Sequence, residues 1–160
     1  MPQKCYFLSD AHLGSLAYDD NRQREQKLCR FLRKAAEDAT DIFLVGDIFD
    51  FWYEYRYVVP KGHVRLLGCL AEIADKGVNL HFFIGNHDIW TYGYLADEIG
   101  MKVYRDATVT TLNGQVRLQI KIYQLLLFGI MRKWPINVKI IPFISTSCCI
   151  LIRQSIESWR

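Results

Sequence analysis

The stretch Asp41-Ile-Phe-Leu-Val-Gly-Asp-Ile-Phe-Asp50 decides how the rest of the chain can be arranged. Its apolar run Ile42–Val45 is short and contains β-branched and aromatic residues, which predicts a strand buried on both faces, as in a parallel sheet. Gly46 ends the run. Asp47 and Asp50 follow at the carboxyl end of the strand, where open α/β sheets bind their ligands. Because an ionised carboxylate among apolar neighbours is costly unless a cation or hydrogen-bond donors meet it, we expect Asp47 to lie at a functional site.

Two other apolar runs also end in polar side chains. They cover residues 5–8 and 80–84, and the polar residues that follow them are Asp10 and His12 after the first run and Asn86, His87 and Asp88 after the second. Since Asp10 and His12 are two residues apart, they project to the same side of an extended segment. We expect these side chains to lie at one edge of one sheet, together with Asp47 and Asp50.

Amphipathic helices are predicted between these strands. In residues 21–38 the apolar side chains recur at i, i+3, i+4 and i+7, and residues 64–76 show helical spacing that stops at Gly77. The order strand, helix, strand, helix, strand is typical of an α/β fold with a largely parallel sheet. The later predicted elements are a short helix at 92–99, strands at 101–104 and 109–112, and a hairpin turn at Asn113-Gly114.

Composition limits the classes of protein to which the chain can belong. The 160 residues are 51% hydrophobic and 23% charged, which fits one globular domain with a core. The net charge of +3 is too small to indicate nucleic acid binding, and we expect no nucleic acid partner. Five cysteines without a C-x-x-C pair predict neither a disulfide framework nor a zinc ribbon and suit a reducing cytoplasm. The N-terminus lacks the pattern of a secretory signal, so a cytoplasmic location is expected.

Some features leave two interpretations open. Six basic residues surround the apolar stripe of the first helix and suit either a solvated helix face, the commoner case, or a patch for anionic lipid or substrate. The aromatic run Phe49–Tyr57 suits either core packing or a lipid-facing surface, because many exposed rings usually mark a contact. We interpret His63 and His81 as ordinary surface or core histidines rather than ligands.

The polar residues at the strand ends predict a metal centre. Carboxylate, imidazole and amide oxygen donors suit Mn²⁺, Fe or Zn²⁺ rather than a metal bound by thiolates. A carboxylate on the middle strand can bridge two ions about 3.5–4 Å apart, which suits phosphoryl displacement. Asp10 and His12 are assigned to the first ion and Asn86 to the second. Asp47 is assigned as the bridge between the two ions. Asp50 and Asp88 are interpreted as groups that orient their neighbours, and a direct role for Asp50 stays open.

Three spaced motifs in the chain resemble those of the calcineurin-like metallophosphoesterases. The motifs are Asp10-x-His12, Gly46-Asp47-x-x-Asp50 and Gly85-Asn86-His87-Asp88. Together they are far more specific than any one of them alone. The resemblance implies a sandwich of two sheets flanked by helices and a centre of two divalent ions, for which Mn²⁺ is the expected metal. It also implies attack on phosphorus by a metal-activated hydroxide, with His87 protonating or stabilising the leaving oxygen.

Within that family, two segments look most like the diphosphatases that act on UDP-2,3-diacylglucosamine in lipid A synthesis. They are Gly46-Asp-Ile-Phe-Asp-Phe-Trp52 and Gly85-Asn-His-Asp-Ile-Trp90. This resemblance implies a UDP-linked acylated sugar as substrate, acyl-sugar 1-phosphate and UMP as products, and a peripheral contact with the inner membrane. The alternatives are another phosphodiester or phosphomonoester as substrate, or an inactive truncated domain.

The resemblance covers residues 1–114, which we interpret as the N-terminal part of a phosphoesterase domain, truncated after its βαβαβ half. The family has further histidine ligands in later His-Gly-Asp and Gly-His-x-His motifs, whereas this chain has no histidine after His87. Residues 115–160 carry seven Lys and Arg against one Asp or Glu. Our hypothesis is that the native reading frame is lost near Gln115, which predicts weak binding of the second ion and impaired activity. The apolar stretch 140–152 is shorter than the roughly 20 residues that span a bilayer.

Overall fold

The computed structural model describes residues 4–105, 108–112, 116–120, 139–143 and 149–154, with side chains for residues 4–105. The helices are α1 (Asn21–Ala35), α2 (Val64–Asp75) and α3 (Tyr94–Asp97). The strands are β1 (Cys5–Leu8), β2 (Asp41–Val45), β3 (Asn79–Phe83), β4 (Lys102–Tyr104), β5 (Thr108–Leu112), β6 (Val116–Ile120), β7 (Lys139–Phe143) and β8 (Cys149–Gln154). The predicted turn at Asn113-Gly114 and part of the apolar stretch 140–152 lie outside the described residues.

The main sheet has six strands in the order β4-β3-β2-β1-β8-β7. β1, β2, β3 and β4 are parallel to one another, with Cys5 beside Asp41 and Asp41 beside Asn79 in the register. β8 runs antiparallel to β1, and β7 runs antiparallel to β8. β5 and β6 form a separate antiparallel pair. The predicted α/β class with a parallel sheet is therefore confirmed, and β2 lies between the two other strands that carry the predicted site.

Both faces of β1 and β2 are buried, as are those of β3 after its first residue. One face contributes Ile42, Leu44 and Phe82 to a large core that also includes Leu32 of α1 and Leu70 of α2. The opposite face carries a second apolar cluster of Cys5, Phe7, Phe43, Val45 and Phe83. Burying a side chain of this size contributes about 1.5–3 kcal/mol relative to leaving it exposed. Burial on both sides explains why these strands read as continuous apolar runs rather than as alternating ones.

Two predicted helices are longer in the sequence pattern than in the structure. The first was expected to reach residue 38, but Asp38 accepts hydrogen bonds from Lys4 Nζ (3.0 Å) and Tyr6 Oη (2.6 Å), which turns the chain back to the sheet. The short helix was expected over 92–99, but the main-chain N–H groups of residues 92 and 93 donate to the Glu54 side chain, and α3 covers only four residues. In both cases the boundary of the helix coincides with a side-chain contact between residues distant in sequence, at the end of α1 and at the beginning of α3.

Candidate metal centre

Three loops at the carboxyl ends of β1, β2 and β3 meet through their main chains. The amide of Asp10 donates to the carbonyl of Gly46 (3.2 Å), and the amide of His12 donates to the carbonyl of Asp47 (2.9 Å). The loop after β3 joins them, because Trp52 N donates to His87 O (3.2 Å). These contacts bring the strand ends to one edge of the sheet, as the sequence predicts.

The side chains on these loops form two overlapping groups of possible metal donors. In the first, one donor atom from each of Asp10, His12 and Asp47 lies within 4.8 Å of the others. In the second, the same holds for His12, Asp50 and His87. The ring centroids of His12 and His87 are 4.6 Å apart, and Nδ1 of His12 lies 3.3 Å from Oδ1 of Asp50. Oxygen and nitrogen donors this close together fit a divalent ion of the Mn²⁺, Fe or Zn²⁺ type.

Asn86 lies on the same edge, on the loop after β3. It is exposed, and it lies between two residues whose main-chain amides bind the carboxylates of neighbouring aspartates. His87 N donates to Asp47 Oδ1 (3.0 Å), which fastens the Asn86 loop to the predicted bridging residue. The structure thus brings the Asn86 loop against Asp47, and the role of Asn86 as a ligand of the second ion stays a prediction.

Three of the candidate ligands have left-handed backbone conformations. The φ angles are 58° at Asp10, 40° at His12 and 52° at Asp47. A residue other than glycine in this region costs on the order of 1–3 kcal/mol, and it persists only where the surroundings fix it. Such conformations cluster at functional sites, and here they occur at the three residues of the first donor group.

Two glycines allow the loops after β2 and β3 to approach closely. A Cβ atom at Gly46, where φ is 72°, would lie 3.1 Å from the Cα of Gly85. A Cβ atom at Gly85 would lie 2.5 Å from the amide nitrogen of Asp47, closer than real Cβ atoms come. The glycine that precedes the acidic or amide residue in each motif is therefore required by the packing of the two strand ends.

Asp88 is fully buried and binds main-chain amides on two loops. Its Oδ1 accepts from Gly85 N (2.6 Å), and its Oδ2 accepts from Ile48 N (3.0 Å). Burial raises the pKa of the Asp88 carboxyl to about 6, and the nearby charge of Asp47 acts in the same direction. Asp88 thus links the β2 and β3 loops through these two hydrogen bonds. The side chains of Asp50 and His87 are partly exposed at the site.

The aromatic run after β2 is divided between the core and the surface. Phe49 and Trp52 are buried, whereas Phe51, Tyr53 and Tyr55 are exposed. The run pairs with the loop after β3 through a parallel bridge between Tyr53 and Trp90. The core-packing interpretation therefore holds for Phe49 and Trp52, and the interpretation of the exposed part as a lipid-facing surface stays a prediction. The exposed rings that these two loops share form the aromatic surface, which comprises Phe51, Tyr53, Tyr55, Trp90 and Tyr92.

Some contributing residues were not singled out from the sequence. Ser9 donates its hydroxyl hydrogen to the Asp10 carboxylate. Glu54, buried to 5% exposure, accepts from Trp52 Nε1 (3.0 Å) and from the amides of Gly93 (2.6 Å) and Tyr94 (3.1 Å). No local pattern distinguishes Ser9. A buried acid inside an aromatic run is the one signal that could have indicated Glu54, because such a charge must have partners.

The two histidines set aside from the sequence lie away from the donor groups. His63 is buried against the ring of Phe49, at 4.8 Å between centroids, and burial lowers its pKa. His81 contacts Asp41 (3.1 Å) and Tyr104 (3.0 Å) through its two ring nitrogens, and burial lowers its pKa as well. Within residues 4–105 neither histidine belongs to a group of three or more possible metal donors.

The parallel sheet and the donor groups at its carboxyl edge define a metal-dependent phosphoesterase class of protein. The model of the calcineurin-like phosphoesterase family matches residues 4–145, and the chain belongs to this family. The resemblance given by the three motifs is thus confirmed. The match extends past residue 114, and the predicted domain boundary there stays a prediction. Family membership and the donor chemistry together indicate divalent metal ions.

Several proteins similar to this chain are named UDP-2,3-diacylglucosamine hydrolase. The chain is 46% identical to a UDP-2,3-diacylglucosamine hydrolase of Porphyromonas gingivalis over 116 residues. The aligned region covers 72% of this chain and 44% of that protein. Proteins of the same name from Neisseria meningitidis serogroup A and Edwardsiella ictaluri are 33% and 31% identical over 110 and 113 residues, covering 68% of this chain and 44% and 40% of theirs. The chain thus spans less than half the length of these relatives.

Proposed function

We propose that this protein hydrolyses the diphosphate bond of UDP-2,3-diacylglucosamine, giving 2,3-diacylglucosamine 1-phosphate and UMP. The observation that carries the choice of a lipid-linked substrate is that the aromatic surface begins at the donor groups: Phe51 follows Asp50 directly, and its ring lies 5.8 Å from that of Trp90. The names of the similar proteins support the same substrate.

The residues proposed to hold two divalent ions are Asp10, His12, Asp47 and Asn86, with Asp47 shared between the ions. Mn²⁺ is the proposed metal, since the donors are oxygen and imidazole nitrogen without thiolate. When bound, such ions neutralise charge on the phosphate groups and activate water at neutral pH. The chain's own contribution is to position the donors, because the main-chain contacts of Asp10 and His12 to the β2 loop fix the backbone from which their side chains project.

His87 is proposed to assist the leaving oxygen. Its Nδ1 lies 2.7 Å from the carbonyl oxygen of Asp50, which can only accept, so Nδ1 carries a hydrogen. In the neutral ring Nε2 is then an acceptor, and in the protonated ring Nε2 donates. Protonated His87 can therefore pass a proton from Nε2 to the oxygen that leaves phosphorus when the diphosphate bond breaks, while the Asp50 carbonyl holds the ring in place.

The aromatic surface supports a peripheral contact of the protein with the membrane. Tyrosine and tryptophan are enriched where one end of a ring is apolar and the other is wet. Within residues 51–62 and 89–93 the only acidic side chain is Glu54, which is buried and hydrogen-bonded, whereas Arg56 and Lys61 are exposed. None of the helices in the described part of the chain has the length and apolar character needed to cross a bilayer. The contact that we propose is at the cytoplasmic surface of the inner membrane.

A second candidate is a phosphoesterase domain of the same family that has low or no activity. The 160-residue polypeptide has no histidine after His87, so the second ion has Asp47 and Asn86 as its proposed ligands. Fewer ligands predict weaker binding, because each metal–ligand bond contributes to the affinity. We therefore propose that this polypeptide binds one ion more tightly than the other and turns over slowly.

The proposed substrate is tested by comparing two reactions of the Mn²⁺-loaded protein. We expect release of UMP from UDP-2,3-diacylglucosamine in mixed micelles at a higher kcat/KM than release of nitrophenolate from bis(p-nitrophenyl) phosphate. The Asp47→Asn variant, which loses the shared carboxylate, is the control for contaminating activity. Preference for the aryl diester would contradict the lipid substrate while leaving the phosphoesterase class intact. Hydrolysis of neither compound, with Mn²⁺ bound, would favour the inactive domain.

A further inference from the structure

The turn that carries Asp10 and His12 is held from two sides. On one side lies the β2 loop, which accepts the amide hydrogens of these two residues through the carbonyl groups of Gly46 and Asp47. On the other side lies the first turn of α1, which approaches the carbonyl groups of the same turn. The contacts with the β2 loop are part of the convergence of strand ends described above. The contacts with α1 involve residues that have no assigned role in the metal centre.

Arg24 makes the contacts on the helix side. Its Nη2 donates to the carbonyl of Ala11 (2.7 Å), and its Nη1 approaches the carbonyl of His12 (3.4 Å). The guanidinium also lies 3.9 Å from the centre of the Tyr18 ring, and the side chain is half-buried. A planar guanidinium can meet two consecutive carbonyl groups and stack on an aromatic ring at once, which a lysine ammonium does not reproduce.

Asn21, one turn before Arg24 on the same helix, fixes the rest of the loop. Its Oδ1 accepts from the amide of Gly14 (3.1 Å), and its Nδ2 donates to the carbonyls of Ser15 (2.7 Å) and Tyr18 (2.9 Å). The same Oδ1 lies 3.4 Å from Nη1 of Arg24. The beginning of α1 is therefore connected to most of the loop that leaves β1, including the residue whose ring supports Arg24.

We infer that Arg24 is a positioning residue for the metal centre. By holding the carbonyls of Ala11 and His12, it fixes the left-handed backbone at Asp10 and His12 and so directs both side chains to one ion. Residues other than glycine keep such conformations only where surrounding contacts determine them. Groups that orient metal ligands typically change metal affinity 10- to 100-fold when removed. This inference rests on the proposed metal centre and is independent of the identity of the substrate.

The sign of the effect separates positioning from simple electrostatics. A guanidinium near the site repels a divalent cation, so removing its charge would by itself strengthen metal binding. Removing its hydrogen bonds to the ligand turn would instead weaken metal binding. If positioning dominates, the loss of Arg24 must lower the affinity for the ion.

The test compares three variants by Mn²⁺ competition with a chromogenic chelator. Arg24→Met keeps the apolar stem and removes the donors, Arg24→Lys keeps the charge, and Arg22→Met changes an exposed arginine on the same turn as the matched control. We expect the dissociation constant of the tighter Mn²⁺ site to rise about 10-fold in Arg24→Met. We expect a smaller rise in Arg24→Lys and no change in Arg22→Met.

Urea unfolding of the metal-free variants is measured in parallel. Unchanged or tighter Mn²⁺ binding by Arg24→Met overturns the inference. The inference is also overturned if Arg24→Met has a lower free energy of unfolding than the wild type but binds Mn²⁺ with the same affinity. If Arg24→Met does not fold, Arg24→Lys decides, since wild-type affinity there would show that the hydrogen-bonding geometry is unimportant. A wild-type chain that binds no Mn²⁺ overturns both this inference and the proposed function. Mn²⁺ binding without hydrolysis of UDP-2,3-diacylglucosamine overturns only the latter.

Discussion

The carboxylate of Asp47 accepts a hydrogen bond from the main-chain N–H of His87, with 3.0 Å between Oδ1 and N. This contact joins the middle strand to the loop that carries Asn86, while the carbonyl of Asp47 binds the amide of His12 on the other side. One residue is thus tied to both neighbouring strand ends, through its carbonyl on one side and its carboxylate on the other, and its role as a bridge between two ions stays a proposal.

Replacing Asp47 by asparagine should abolish most metal binding without unfolding the chain. The amide oxygen of Asn can still accept from His87 N, but the negative charge is lost, so we expect Mn²⁺ affinity to fall about 100-fold or more. Titration calorimetry with Mn²⁺ measures this change, and circular dichroism checks the fold. Asp75→Asn, at an exposed position at the end of α2, is the matched control. Retained Mn²⁺ affinity in Asp47→Asn would rule out a bridging role.

Asp88→Asn should destabilise the fold. The two carboxylate oxygens of Asp88 accept from two main-chain amides, whereas an asparagine has one oxygen and would direct its NH₂ group at the second amide. A buried donor left without an acceptor costs about 1–3 kcal/mol, and we expect the free energy of unfolding in urea to fall by that amount. A variant as stable as the wild type would mean that the two loops do not depend on this carboxylate.

Much of this arrangement could be predicted from the sequence, because strand burial and strand ends leave local signals. Ile42–Val45 reads as a doubly buried strand, and a glycine followed by a carboxylate or amide marks the edge where parallel strands end. The convergence of Asp10 and Asp47 then follows from parallel pairing alone.

Other features depend on contacts between residues distant in sequence. The start of α3 is set by Glu54, some forty residues earlier, and no helical pattern contains that information. The left-handed φ angle of His12 occurs where its amide contacts the β2 loop and its carbonyl approaches Arg24 of α1, contacts that no local pattern contains. Arg24 could not be separated from the five other basic residues around its helix stripe, since its contacts with the loop that leaves β1 are what distinguish it.

Acidification should destabilise the metal-free protein through its two buried histidines. Burial lowers the pKa values of His63 and His81 in the folded state, so the unfolded state binds more protons as the pH falls below about 6.5. The stability is therefore full above that pH and decreases below it, by up to about 1.4 kcal/mol per pH unit for each histidine. Asp88 acts in the opposite direction, because its raised pKa makes the folded state retain a proton up to about pH 6.

The histidine contribution is isolated by a difference between variants. Urea unfolding of the wild type and of His63→Gln between pH 5.0 and 7.5 cancels the contribution of Asp88. We expect a smaller dependence of unfolding free energy on pH in His63→Gln. Identical slopes in the two proteins would show that His63 does not titrate differently on folding.

The aromatic surface should matter for acylated substrates only. Truncating Trp90 or Phe51 to alanine removes a large apolar contact beside the donor groups, and we expect KM for UDP-2,3-diacylglucosamine to rise about 3- to 10-fold. The KM for bis(p-nitrophenyl) phosphate, which lacks acyl chains, should change little. Val64→Ala, at another exposed apolar position, is the control. An equal rise in KM for both substrates would indicate a general disturbance of the site.

We propose that three strand ends build one metal centre around Asp47. Anomalous diffraction at the manganese edge from crystals grown with Mn²⁺ shows whether they do. We expect an anomalous peak within coordination distance of Asp10, His12 and Asp47, and a weaker peak between Asp47 and Asn86. Crystals that contain Mn²⁺ but show no peak beside Asp47 would contradict it.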